Sequence, residues 1–231
     1  MMLVPFFIIL ARTTKNKYER WFAWFMLVGV LYRGLSTYSR GGFLAALAMA
    51  LVSILRSPKR VRALVGGAVL AAVISTTLPQ EYWDRMATVS GEQSEEGGQR
   101  EFDGSAASRL YFWRLAVRMA NDNFAGVGPG GYKAAYPTYD LAEGAYGTVR
   151  AVHSVWFGTL AELGYPGLAA LMVNLLLAWL ACARAQWLAK SGLIPPEFGA
   201  FGAGLESSIV AYMVAGTFLN IQYLELFWHI V

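Results

Sequence analysis

Three side chains far apart in the sequence, Arg40, Arg109 and His153, have the types needed for one piece of chemistry. A guanidinium fork grips phosphate or pyrophosphate oxygens two at a time, and an imidazole with a pKa of about 6.5 takes a proton or holds a hydroxyl near neutrality. The set suits a glycan carried on a lipid pyrophosphate. Competing chemistries lack their residues. The single cysteine, Cys182, has no thiol partner, and the two histidines, His153 and His229, lie far apart. No serine occupies a nucleophile elbow, and no glycine-rich loop ends in Gly-Lys-Ser/Thr. The sequence offers no metal cluster.

Further candidates for substrate binding are Arg33, Gly128, Gly130, Tyr132 and Glu162. Gly126-Val127-Gly128-Pro129-Gly130-Gly131 formally matches G-x-G-x-x-G, but a dinucleotide site needs a strand before it. Here a helical pattern precedes and a proline sits inside, which leaves a tight turn able to approach a ligand or the membrane surface. Plainer readings stand beside the chemical ones. Arg33, between Tyr32 and Tyr38, can snorkel to the headgroups; Arg109 can form a structural ion pair; His153 can be an interfacial polar cap. Glu162 can be the carboxylate that favours the start of the helix after it.

The surrounding sequence states where these residues must work. It is 56% hydrophobic and only 15% charged, against roughly 25% charged in soluble domains. The net charge of +4 sits in short clusters between apolar runs, so lipid headgroups rather than nucleic acid are the expected polyanion. Apolar runs cover Trp21–Tyr38, Gly41–Leu55, Leu64–Leu78, Ser154–Ala183 and Phe198–Leu219. Basic clusters fall at every second connection: Arg12 to Arg20, Arg56 to Arg62, and Arg184 with Lys190. The positive-inside rule places these in the cytoplasm and the Ser39–Gly42 turn outside. At 1.5 Å per residue, the gaps from Arg20 to Arg33 and from Arg40 to Arg56 reach only about 18 and 22 Å, so Arg33 and Arg40 are expected below the outer surface.

The expected fold is therefore an all-α integral membrane protein, a polytopic helix bundle with a large extracytoplasmic loop that itself contains helices. Residues 1–78 hold transmembrane helices, 79–152 form the loop, and 153–231 hold a re-entrant segment and further transmembrane helices. The loop carries ten of the fifteen acidic residues and seven of the nineteen basic ones. Within it Glu92 to Gly104 reads as irregular, and Ser105 can cap a helix running to about Asn121. Leu110, Trp113, Val117 and Ala120 mark its expected buried face, with Arg109 beside that face, Arg114 and Arg118 in solvent, and Arg118 able to pair with Asp122. Gly164, Pro166 and Gly167 are expected to break the run after His153, leaving Tyr165 to Ala183 as the crossing. Met1 to Ala11 is too short to span and Leu226 to Val231 reads as a helix barely begun, so the chain is expected to be a piece of a longer protein.

Ser39-Arg40-Gly41-Gly42-Phe43-Leu44-Ala45, then Arg109 with Trp113, the glycine turn with Tyr132, and His153 followed by Glu162-Leu163-Gly164-Tyr165-Pro166-Gly167 together resemble the C-terminal half of the O-antigen ligase and polymerase superfamily. There is a further likeness to the exosortase-associated O-glycosylation ligase branch. The resemblance implies a multi-pass enzyme of the bacterial inner membrane, metal-independent and without a cofactor, that transfers a glycan from an undecaprenyl-pyrophosphate donor to a lipid or protein acceptor. By motif, Arg40, Arg109 and His153 fall on the family's essential residues. Ser154 departs from it, since members commonly carry Asn there. A polysaccharide polymerase of the same superfamily is the near alternative. A transporter or channel component, with Arg33, Arg40 and Glu206 along an ion path, is the alternative from another class, and a scaffold for a secreted enzyme is a third.

Overall fold

A computed structural model of the chain describes residues 2–35, 40–56, 61, 64–69, 72, 106–147, 150–221 and 223, and all its described elements are helices and turns. The irregular Glu92–Gly104 segment, the cap Ser105, most of the Leu64–Leu78 run and the final Leu226–Val231 piece lie outside the described residues, as does Ser39 of the expected Ser39–Gly42 turn; the rest of that turn is corrected, since Arg40, Gly41 and Gly42 are the first residues of a helix. The helices are α1 (Val4–Thr13), α2 (Lys17–Leu35), α3 (Arg40–Arg56), α4 (Ala106–Asp122), α5 (Tyr132–Tyr139), α6 (Val155–Lys190) and α7 (Pro196–Gly216). They divide between two compact units, one made of Met1–Ser94 with Ala178–Ala215, the other of Glu95–Leu177 with Gly216–Val231.

In the first unit α1 opens with Pro5 in its first turn, where a missing N–H costs nothing. Asn16 caps α2: its Oδ1 accepts the Tyr18 N–H at 3.0 Å, and its amide reaches Glu19 Oε1 at 3.3 Å. Val4, Leu27, Ala45, Met49 and Ala211 form a core that joins α1, α2, α3 and α7. The end of α6 turns into α7 through Gly192 (φ 71), with Leu193 N–H to Leu188 O at 3.0 Å and Gly192 N–H to Ala189 O at 3.2 Å, the bond pair of a Schellman cap. A Cβ at Gly199 would sit 2.6 Å from Ala189 Cβ, so glycine is what lets α7 lie close against the end of α6. Glu206 is buried in α7, and Arg56 and Gln186 Nε2 (2.9 Å) meet its two oxygens.

Among the described residues two helices, α6 and α7, are long and apolar enough to cross a membrane, and they contain the expected crossings Tyr165–Ala183 and most of Phe198–Leu219. α2 has the length, but Lys17, Glu19, Arg20 and Arg33 crowd its ends. α1 and α3 are apolar and shorter. Apolar side chains point outward, Trp21, Phe25, Leu47 and Leu51 from the first unit and Val173 and Leu177 from α6. Such surface needs cover other than water. One boundary differs from expectation: α7 ends at Gly216 rather than Leu219, and the chain turns away through Thr217–Asn220.

The core of the second unit is aromatic. Phe112, Leu115, Ala116 and Met119 of α4 pack with Tyr132 and Tyr136 of α5, Val152, and Ala161 of α6. This corrects the expected face of α4, on which Leu110, Trp113 and Val117 were to be buried. Ala120 is buried, but Leu110 is 50% exposed, and Trp113 and Val117 are only partly covered. α4 carries apolar residues at helical spacing on two faces, and the tyrosines of α5 and its following loop select the Phe112 face. Leu110, Trp113, Arg114, Val117 and Phe157 instead line an open apolar depression of about 290 Å³. Arg114 and Arg118 face solvent as expected, though Arg118 makes no ion pair with Asp122.

Candidate active site

The glycine turn between α4 and α5 is built by backbone contact. Gly126, Gly128 and Gly130 have φ of 82, 97 and 71, open to residues without a Cβ at little cost. Val127 and Gly128 donate to the carbonyls of Ala161 and Glu162, each at 2.9 Å. α6 breaks beside this turn at Gly164 (φ 67, ψ −165), as the glycines and proline predicted. The break turns the Tyr165 N–H onto Phe124 O at 3.1 Å.

Glu162 sits 5% exposed at the centre of this junction. Its Oε1 accepts the Tyr132 N–H at 3.4 Å, in the first turn of α5, and its Oε2 accepts the Tyr223 hydroxyl at 2.6 Å. The Tyr223 oxygen in turn accepts the Gly130 N–H at 3.3 Å. The carboxylate is thus placed at a helix N-terminus, though that of α5 rather than of the helix that follows it in sequence. Burial of its hydroxyl end, then the bond to Glu162, pushes the Tyr223 pKa up to about 12. The amides of Gly128, Gly130 and Tyr132 are therefore engaged within the protein. Tyr132 is buried, its hydroxyl donates to Phe112 O at 3.2 Å, and burial raises its pKa.

His153 lies just before α6 with φ 51, a left-handed conformation that few residues with a Cβ adopt. Its neighbours are fixed on both sides. Trp113 Nε1 donates to Val152 O at 3.2 Å, and the Ser154 N–H donates to Asn220 Oδ1 at 3.1 Å. Trp156 Nε1 donates to Thr217 Oγ1 at 3.2 Å. Trp113 and Phe157 stack at 4.8 Å between ring centres. Arg109, one turn before Trp113, is partly buried, with its guanidinium over the Phe218 ring at 5.7 Å. Arg109 and the His153 segment therefore meet the same stretch, Phe218 to Asn220. Arg33 is exposed in the last turn of α2, and Arg40 is the first residue of α3, its side chain outside the described residues; both belong to the first unit.

The profile described as O-antigen ligase matches residues 21–172, well over half of the 231. The chain belongs to the O-antigen ligase family. No curated protein matches it. The match contains Arg40, Arg109, the glycine turn, His153 and Glu162 in order, and it ends before Thr217–Asn220 and Tyr223. Membership, together with two helices suited to a bilayer, marks a membrane enzyme of the glycosyltransferase type whose partners are in general a lipid-linked sugar and an acceptor.

Sequence reasoning missed Phe218, Asn220 and Tyr223. Asn220 and Tyr223 are polar groups just past an apolar run, a signal for a helix end, but their partners lie 66 and 61 residues away and no local pattern names them.

Proposed function

We propose that this chain of the O-antigen ligase family transfers a glycan from an undecaprenyl-pyrophosphate donor to an acceptor hydroxyl of a lipid or protein at the extracytoplasmic face of the bacterial inner membrane. The acceptor oxygen bonds to the anomeric carbon as the bond from that carbon to the pyrophosphate breaks. The leaving pyrophosphate takes the electron pair, and the hydroxyl proton passes to His153. Arg40 and Arg109 neutralise the departing charge, and Arg33 attracts the donor head. The glycine turn, Tyr132 and Glu162 shape the wall against which the sugar sits. In this topology 79–152 is the extracytoplasmic loop, with transmembrane segments in 1–78 and 153–231. The observation that carries the reading is the family match, joined to the attachment of Arg109 and the His153 segment to one stretch of chain. The transporter alternative loses support because Glu206, one of its path residues, is taken up by Arg56 and Gln186.

The test uses membranes containing the full chain and a labelled undecaprenyl-pyrophosphate oligosaccharide. Release of free undecaprenyl pyrophosphate reports transfer whatever the acceptor. Arg40→Ala, Arg109→Ala and His153→Ala are each expected to abolish it while leaving membrane insertion intact; unchanged release in all three rules the mechanism out.

A further inference from the structure

We infer that the turn after α7, through Phe218 and Asn220, positions both Arg109 and His153 for catalysis. The inference rests on the function proposed above and goes beyond it, because the turn lies past residue 172, where the family match ends. The backbone supplies the first argument. A histidine at φ 51 is held there against its own preference, so its surroundings must over-determine it. Bonds to both of its neighbours come from outside its own segment: the Val152 carbonyl takes Trp113 Nε1–H, and the buried Ser154 gives its N–H to Asn220 Oδ1 at 3.1 Å. Without Asn220 that N–H, at the start of α6 and thus without an intrahelical acceptor, would lose the acceptor it now has. Val155 and Trp156 are fixed by the same stretch, since a Cβ at Gly216 would stand 3.1 Å from Val155 and Thr217 accepts from Trp156.

The second argument is the ring. Phe218 presents itself to the Arg109 guanidinium at 5.7 Å, which restrains the plane of the fork without removing its charge. Phe218 and Asn220 are two residues apart, so a displacement of this turn moves both groups together. The turn occupies the place of a common mount, with the Asn220 side-chain amide against the Ser154 N–H.

The experiment measures release of undecaprenyl pyrophosphate by membranes containing the full chain. Asn220→Leu, similar in size but without the acceptor oxygen, is expected to lower kcat on the order of 10- to 100-fold with little change in donor KM, the signature of a misplaced group. It should also move the limb of the kcat pH profile that reports proton transfer to His153. Asn220→Asp, which keeps the acceptor oxygen, is expected to restore most of the rate, and Phe218→Tyr should act near wild type where Phe218→Leu does not. Wild-type kcat and pH profile in Asn220→Leu, with His153→Ala inactive, overturn this inference and leave the functional reading standing. Equal loss of Asn220→Leu and Asn220→Asp from membranes also overturns it, since it makes Asn220 structural. Full activity in His153→Ala overturns the functional reading, and the inference with it.

Discussion

Gly164 and Phe124 meet backbone to backbone. The break in α6 aims the Tyr165 N–H at the Phe124 carbonyl, 3.1 Å away, and leaves no room for a Cβ at Gly164 beside that oxygen and the Ala125 and Gly126 backbone. The contact is reciprocal, because a Cβ at Gly126 would strike the Glu162 carbonyl and the Gly164 amide. Around it, Phe124 stacks on Tyr165 at 5.9 Å and the Tyr165 hydroxyl donates to Asn121 at 2.6 Å. The kink thereby fixes where α4 ends and how the glycine turn faces Glu162.

Gly164→Ala is accordingly expected to cost about 3 kcal/mol or more, because φ 67 with ψ −165 is a conformation that essentially glycine alone adopts, about 1 to 3 kcal/mol for another residue, and the clash with backbone that cannot move aside adds to it. Gly192→Ala is the control. It sits in the Schellman cap at φ 71 with open space around it, and should lose only the left-handed penalty of about 1 to 2 kcal/mol. Thermal unfolding of the two proteins in detergent micelles separates the cases; equal shifts would mean the crossing is loose.

Arg109 and Arg114 lie five residues apart on one helix and have different fates. Arg109 is partly buried against Phe218, whereas Arg114 is exposed. Arg109→Ala should bring donor turnover below detection, a loss of at least the order of 100- to 1,000-fold, about 2.7 to 4 kcal/mol, usual when one donor to developing negative charge is removed. Arg109→Lys should recover little, because a point charge does not replace a planar fork. Arg114→Ala should leave turnover unchanged, and a comparable loss there would point to general surface charge rather than to a placed fork.

How much of this was legible in the sequence depends on the range of the interaction. The extent of α4, the break at Gly164 and the solvent faces of Arg114 and Arg118 follow from glycines and helical spacing, which act within a few residues. The buried side of α4 did not follow, because Leu110, Trp113 and Val117 repeat as well as Phe112, Leu115 and Met119 do. Only the tyrosines of α5 decide between them. The role of Glu162 was half legible: a carboxylate at a helix N-terminus was the right physics, but the helix is α5, thirty residues before it. Asn220 was beyond reach, its meaning residing wholly in Ser154.

The loop after α5 should be sensitive to acid. Burial works to raise the Asp140 pKa, but hydrogen bonds from Tyr111, Gly144 and Ala142 outweigh it and the carboxyl is held below its ordinary value. Gly144 donates to Oδ2 at 2.7 Å and Ala142 to Oδ1 at 3.0 Å. A lowered folded-state pKa gives stability that is present above the unfolded-state value and lost as pH falls through the folded one. Amide exchange at Ala142 and Gly144 should therefore rise on acidification below the ordinary carboxylate range, and Asp140→Asn should flatten that dependence. Tyr136 has the opposite sign. Burial, then Asp140, pushes its pKa up to about 12, so its contribution is intact below the ordinary tyrosine value near 10 and fades as pH climbs toward 12.

Glu206 offers the test that depends least on the substrate. Its side chain is 1% exposed, whereas that of Arg56, its ion-pair partner, is 49% exposed, so removing Arg56 strands a carboxylate that cannot reach water easily. Breaking a buried pair costs roughly 3 to 5 kcal/mol, and the half-exposed partner together with the remaining bond from Gln186 places Arg56→Ala near or below the bottom of that range. Adding Glu206→Leu removes the stranded charge and should recover stability even though it deletes a second member of the network. Unfolding measurements on the single and double variants check this, with recovery as the expected result. If the double variant is instead less stable than Arg56→Ala, the carboxylate has stabilising partners beyond Arg56. Transport-type function would further require ion flux through liposomes that disappears in Glu206→Leu, whereas a carboxylate that only joins α7 to α3 and α6 predicts no flux in either protein.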